Sequence, residues 1–185
     1  MMPDMAEAQE VLAFWFAERV RKRWFDSTPE LDAEIRSRFQ SLWERAAQGA
    51  LEDWAGQPES ALALAIVLDQ LPLNMFRGDA RSFATERAAV GLAHEAVRRG
   101  LDRALEPERR VFLYMPLMHS EDLADQDESV RLFESGGLED NARFARHHRE
   151  LVRRFGRFPH RNAILGREST PEELAYLASD EAFTG

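Results

Sequence analysis

The stretch Pro58-Glu59-Ser60-Ala61-Leu62-Ala63-Leu64-Ala65-Ile66-Val67-Leu68-Asp69-Gln70-Leu71-Pro72 decides the fold. Ala61 to Leu68 is apolar without interruption, and Ala and Leu, both strong helix formers, fill its first half. Proline suits the first turn of a helix and disrupts the interior, so Pro58 predicts the opening of a helix over 59–70 and Pro72 its end. A helix apolar nearly all round is a buried one, so the other elements must wrap around it.

Outward from this centre, the apolar positions recur at helical spacing. Asp4 to Glu18 carries the stripe Val11, Leu12, Trp15 and Phe16. Thr28 or Ser27 can cap a helix opened by Pro29, with Leu31, Ile35, Phe39, Leu42 and Trp43 on one face and Gly49 as its stop. Arg77-Gly78-Asp79 reads as a turn, and a long helix follows over 80–99, stopped by Gly100. Pro107 starts another helix; Pro116 is expected to interrupt it, with the continuation running to Glu134. A helix over 139–155 precedes Gly156, and an irregular stretch leads to the capping box Thr170-Pro171-Glu172-Glu173 and a short terminal helix. No alternating strand is visible. The expectation is an all-α fold, seven to eight helices in an α–α array, forming a single compact domain over 1–185.

Composition limits the function classes. The chain has 185 residues, 44% hydrophobic and 31% charged, enough for one core and a solvated exterior. It has no cysteine, which excludes a disulfide framework, a thiolate metal site and a cysteine nucleophile. Met1 to Glu10 has acids where a signal peptide needs basic residues, and the longest apolar run is far short of the ~20 residues of a membrane span. A cytoplasmic address and no membrane partner are expected. The net charge of −9 argues against nucleic acid as a partner. That charge is uneven: Arg143 to Arg167 holds eight Arg against one acid, Glu150, while Glu121, Asp122, Asp125, Asp127 and Glu128 cluster just upstream. The two segments are expected to meet, either as a salt-bridge network or with the arginines receiving an anionic ligand.

Candidate site residues are those that break local rules. On a helix continuing after Pro116, His119, Asp122 and Gln126 fall in the sector of Leu123, Val130 and Phe133, while Glu121, Asp127 and Glu128 point to solvent. Buried polar groups need partners, so this line is either a structural network or a site. In the next helix His148 falls within the face of Phe144, Leu151 and Phe155, with His147 on its edge. Asp69 sits at the carboxyl end of its helix, where a negative charge is disfavoured, and Arg77 or Arg81 is its expected cation. The loop with Arg157, His160, Arg161, Asn162 and Arg167 suits forked recognition of a carboxylate or phosphate, or equally the anchoring of a C-terminal segment. There is no phosphate-binding loop, dinucleotide fingerprint, nucleophile elbow or zinc-protease motif, and no cofactor is expected. A metal on His119, Asp122 and His147 or His148 is geometrically conceivable, but Asp–His pairs are commoner as plain hydrogen bonds, and none is expected.

The runs Val11-Leu12-Ala13-Phe14-Trp15-Phe16, Leu68-Asp69-Gln70-Leu71-Pro72-Leu73-Asn74, Tyr114-Met115-Pro116-Leu117-Met118-His119-Ser120-Glu121-Asp122-Leu123-Ala124-Asp125-Gln126 and Arg154-Phe155-Gly156-Arg157-Phe158-Pro159-His160-Arg161-Asn162-Ala163-Ile164-Leu165-Gly166-Arg167 resemble a largely bacterial family known as domain of unknown function 924. The resemblance covers nearly the whole chain. It implies an α–α array of the tetratricopeptide-like superfamily and no established activity, although the 34-residue period of such repeats is not visible here. Family members resemble Gln-Phe-Pro-Arg-Asn where this chain has Leu73 in place of the arginine, which shifts weight to Arg77 as the partner of Asp69.

Two functions are expected from this reading. One is binding of a small anionic metabolite by Asp69, Arg77, Gln126, His147, Arg157, His160, Arg161, Asn162 and Arg167. In that case His119, polarised by a carboxylate, would be a general base, with Asp122 beside it as the second catalytic residue. The other is a helical interaction module receiving a peptide or protein partner in a groove.

Overall fold

The computed structural model describes residues 5–183 and is all-helical. It opens with α1 (Met5–Trp15) and the short α2 (Glu18–Arg21); Asp4, the expected start of the first helix, lies outside the described residues. Then come α3 (Pro29–Ala47), α4 (Pro58–Ala65), α5 (Leu71–Met75), α6 (Glu86–Arg98), α7 (Pro107–Met118), α8 (Leu123–Ser135), α9 (Glu139–Phe155) and α10 (Pro171–Leu177). Thr28, not Ser27, caps α3 through Leu31 N, and Thr170 and Glu173 form the expected capping box at α10. As its composition demands, α4 is central: Ser60 to Ala65 are all buried, and the helix packs on α1, α6 and α7. One main core runs from Ala8 to Ala145, and a small satellite core of Leu151, Val152, Phe158 and Tyr176 lies under the C-terminal segment. Among the described residues no helix is long and apolar enough to cross a membrane.

The first helix ends at Trp15, short of the expected Glu18, which opens α2 instead. Three further helix boundaries differ from the sequence expectation, each for a local reason. Pro72 does not end the central helix. A π turn over Ile66–Gln70, in which Leu71 N donates to Ile66 O, inserts before it, and Pro72 becomes part of the first turn of α5. Proline has no N–H for the Leu68 carbonyl four residues back. The Thr85 hydroxyl donates to that carbonyl at 2.6 Å and accepts from Trp43 Nε1 at 3.0 Å. This use of Thr85 coincides with the second difference, for the helix expected over 80–99 is a 3-10 turn at Ala80–Phe83 followed by α6. Third, α7 runs through Pro116, which lies in its last turn and forfeits one intrahelical bond. The break comes at 119–122 instead, where Ser120 Oγ accepts from Asp122 N and the Asp122 carboxylate accepts from Ala124 N and Asp125 N. The break rotates α8, leaving Leu123 41% exposed. In α9 the buried face is Ala142, Ala145, His148, Leu151 and Val152, so Phe144 is 58% exposed.

A histidine cluster around an Asp69–His119 pair as the candidate functional site

The π turn delivers Asp69 and Gln70 into the interior beneath the C-terminal end of α7. His119, the residue that ends α7, places Nδ1 3.0 Å from each Asp69 carboxylate oxygen. Gln70 Nε2 donates to Asp69 Oδ2 at 2.7 Å and also touches Met115 Sδ. A carboxylate accepts, so Nδ1 carries the hydrogen and Nε2 is the free edge of the ring. Burial pushes His119 down, but the charge and hydrogen bond of Asp69 outweigh it, and the net shift is upward. The side chain is still 20% exposed.

Two further histidines stand beside this ring. His148 of α9 is buried with its ring centre 6.4 Å from that of His119, and its Nδ1 donates to Phe144 O at 2.8 Å. His160, on the turn Pro159–Arg161, has a buried Nδ1 with no partner. Burial, followed by the charge of His119, lowers His148 to about 3; burial, followed by the charge of Arg161, lowers His160 to about 4. Phe158 lies between the rings of His148 and His160, and Phe183 covers both at 4.8 and 5.1 Å. The site thus holds one histidine biased toward the imidazolium and two that stay neutral. Such separation of like groups distinguishes an acid from a base. Among the described residues, neither His119 Nε2 nor His148 Nε2 has a protein hydrogen-bond partner.

The arginines are not open to an anion in the manner expected from the sequence. Arg161 is 5% exposed; Nη1 donates to both oxygens of Glu86, at 3.0 and 3.2 Å, and Nη2 donates to His119 O at 2.8 Å. Its guanidinium lies 4.3 Å from the ring centre of Phe83 and 4.8 Å from that of Phe158, and Nε alone is orphaned. Burial raises Glu86 despite the arginine. Arg157 is tied to Glu173 and Arg167 to Glu121, with Asn162 bridging Glu173, Ser169 and Arg167. Arg149 reaches Asp127, so the basic and acidic segments do meet through Arg–carboxylate pairs. Glu121, expected in solvent, also accepts from Phe158 N. These pairs anchor the C-terminal segment.

Several sequence candidates fall elsewhere. His119, Asp122 and Gln126 do not share a helix face, because the break at 119–122 puts them on two elements. Asp122 is an exposed cap of α8, so the metal set that needs it is not assembled. Gln126 is fully buried and donates to Met118 O and Ser120 O, closing the turn; its Oε1 is unpaired. Arg77 binds Asp32, and Arg81 binds Asp79; neither reaches Asp69, whose partner is a histidine. His147 is exposed at the rim, and His148 takes the inner place. Glu86 and Phe183 were missed: both lie on exposed-looking polar stretches, and no sequence signal marks them. The large exposed apolar side chains Phe25, Leu123, Phe144 and Leu174 sit on separate elements.

The family model described as bacterial protein of unknown function (DUF924) matches residues 11–181, which include the whole cluster except Phe183. A solved structure, that of the protein of unknown function ATU0120 from Agrobacterium tumefaciens, is 43% identical. The match covers 94% of this chain and 98% of that one, with a TM-score of 0.88. No curated protein matches the chain. The all-helical architecture, the quoted motifs and the match over residues 11–181 agree: the chain belongs to the bacterial family of unknown function DUF924.

Proposed function

We propose that the protein binds a small anionic molecule at the histidine cluster and that His119, oriented by Asp69, exchanges a proton with it. The observation that carries this reading is the Asp69–His119 pair, with Asp69 buried and the outer nitrogen of His119 without a partner among the described residues. A histidine held by a carboxylate, with its other nitrogen free, is the arrangement of a general acid–base. The imidazolium, rather than the arginines, supplies the charge for the anion. His148, neutral with its proton on Nδ1, offers Nε2 as an acceptor to a hydroxyl or protonated oxygen of the ligand, and neutral His160 adds no competing charge. An orphaned buried nitrogen such as His160 Nδ1 costs about 1–3 kcal/mol, an expense that a ligand relieves. The lack of cysteine supports a cytoplasmic setting.

The test is a thermal-shift panel of carboxylated and phosphorylated metabolites at pH 6.5, run on the protein and on His119→Asn, which keeps a donor toward Asp69. A ligand at a hundred times its Kd adds about 2.7 kcal/mol, or ~5–10 °C in a domain of this size. A shift present in the parent and lost in the variant is the expected result. Shifts that survive His119→Asn, or none across the panel, would overturn the reading.

A further inference from the structure

Away from the histidine cluster, a polar cleft of about 230 Å3 opens beside the middle of α7, where the turn Leu101–Ala104 meets α8. That volume is below the roughly 300–1,000 Å3 of drug-sized sites, so its occupant is small. Asp102 lines it and is only 7% exposed. Tyr114 donates its hydroxyl to Asp102 Oδ2 at 2.6 Å, while Asp102 Oδ1 is buried with no partner. Burial and the adjacent carboxylate raise the tyrosine, so the phenol keeps its proton.

Three arginines line the same cleft. Arg110 is fixed by donating Nε to Asp102 O and Nη2 to Leu105 O, which leaves Nη1 available. Arg131 gives Nε and Nη2 to Glu128 and likewise keeps Nη1. The Arg103 side chain makes no ion pair or hydrogen bond among the described residues. A simple anion would satisfy the arginines but face the bare oxygen of Asp102. A simple cation would satisfy Asp102 but meet three guanidinium groups. We propose that this cleft binds a small zwitterion, its ammonium on Asp102 Oδ1 and its carboxylate or phosphate on Arg103, Arg110 and Arg131. The site is independent of the histidine cluster.

Titration calorimetry on the whole protein tests this with two zwitterions, β-alanine and O-phosphoethanolamine, against the half-ligands acetate, inorganic phosphate and ethanolamine. At least one zwitterion should bind tenfold or more tightly than either of its halves. Arg103→Ala, at an exposed and unpaired position, should weaken that binding about tenfold without moving the melting temperature. Asp102→Asn should erase the preference for the zwitterion over the anion. His119→Asn should leave this binding intact, which separates the present proposal from the preceding one. Zwitterions binding no better than their halves, or affinity unchanged in Arg103→Ala, would overturn it.

Discussion

Arg161 is gripped by four segments at once: Glu86 of α6, the carbonyl of His119 just past α7, the ring of Phe83 on the turn Ala80–Phe83 and the ring of Phe158. A guanidinium held ready for an anion would face a cavity, and its loss would be nearly neutral in the absence of ligand. The burial and pairing reverse that. Arg161→Ala leaves the half-buried Glu86 carboxylate and the His119 carbonyl without their partner, and should cost about 3 kcal/mol in urea unfolding. A loss below ~1 kcal/mol would contradict the pairing. The histidines give a second prediction at this scale. His148 and His160 are lowered in the folded state, so the unfolded chain takes up protons first, and stability falls as pH drops below about 6.5 toward their folded values of about 3 and about 4. His119 is raised and acts in the opposite sense: its contribution is complete below the unfolded value and fades as pH rises through the folded one. Between pH 6 and 4.5, above most carboxylate titrations, each lowered histidine should contribute a slope of up to about 1.4 kcal/mol per pH unit. Urea unfolding across that window should show the slope, and His148→Phe should flatten it; an equal slope in the variant would assign it to other groups.

At the scale of elements, the site depends on two breaks in helices. The π turn rotates Asp69 and Gln70 inward, and the end of α7 presents His119 to them. π turns recur at functional sites because the extra residue re-aims side chains without ending the helix. Thr85 secures this one by donating to Leu68 O while accepting from Trp43 Nε1. Thr85→Val preserves shape but removes both bonds, leaving buried groups unpaired. A loss of about 1–3 kcal/mol is expected in denaturant unfolding, together with a downward move of the His119 titration followed by NMR as the Asp69 contact loosens. Normal stability with an unchanged His119 titration would show that the turn stands without Thr85.

At the scale of the molecule, the protein is a large core with a smaller one attached. The satellite core holds only four fully buried apolar side chains, and the segment over it is fixed mainly by polar pairs centred on Glu173 and Glu121. Arg157, first among several partners, lowers Glu173 to about 2, so its contribution is present above the ordinary carboxylate range and is lost as pH falls through that value. Few apolar contacts and many polar ones mark a region that opens before global unfolding. Amides of α10 should therefore exchange with deuterium faster than those of α7, and Glu173→Ala should accelerate α10 selectively. Uniform protection of the two helices would mean that the segment unfolds only with the whole. Phe183, carried by this segment, lies over His148 and His160, so its opening also exposes the histidine cluster.

Legible in the chain alone were the helical class, the central place of the Ala61–Leu68 run, a cap at Thr28 or Ser27, the cap at Thr170, and the meeting of the basic and acidic segments. Those features follow from spacing, from short-range capping chemistry and from charge, all of which are written along the chain. It also singled out Asp69 and His119, because a carboxylate at a helix C-terminus and a histidine among apolar neighbours break local rules. Which group answers which was decided only by the tertiary structure. Asp69 took a histidine 50 residues away instead of Arg77, and Arg161 took Glu86 instead of an anion. The reason is that helix phase is lost at each break: an inserted π residue after Ala65 and a capped turn at 119–122 rotate everything beyond them, and no local signal records how far.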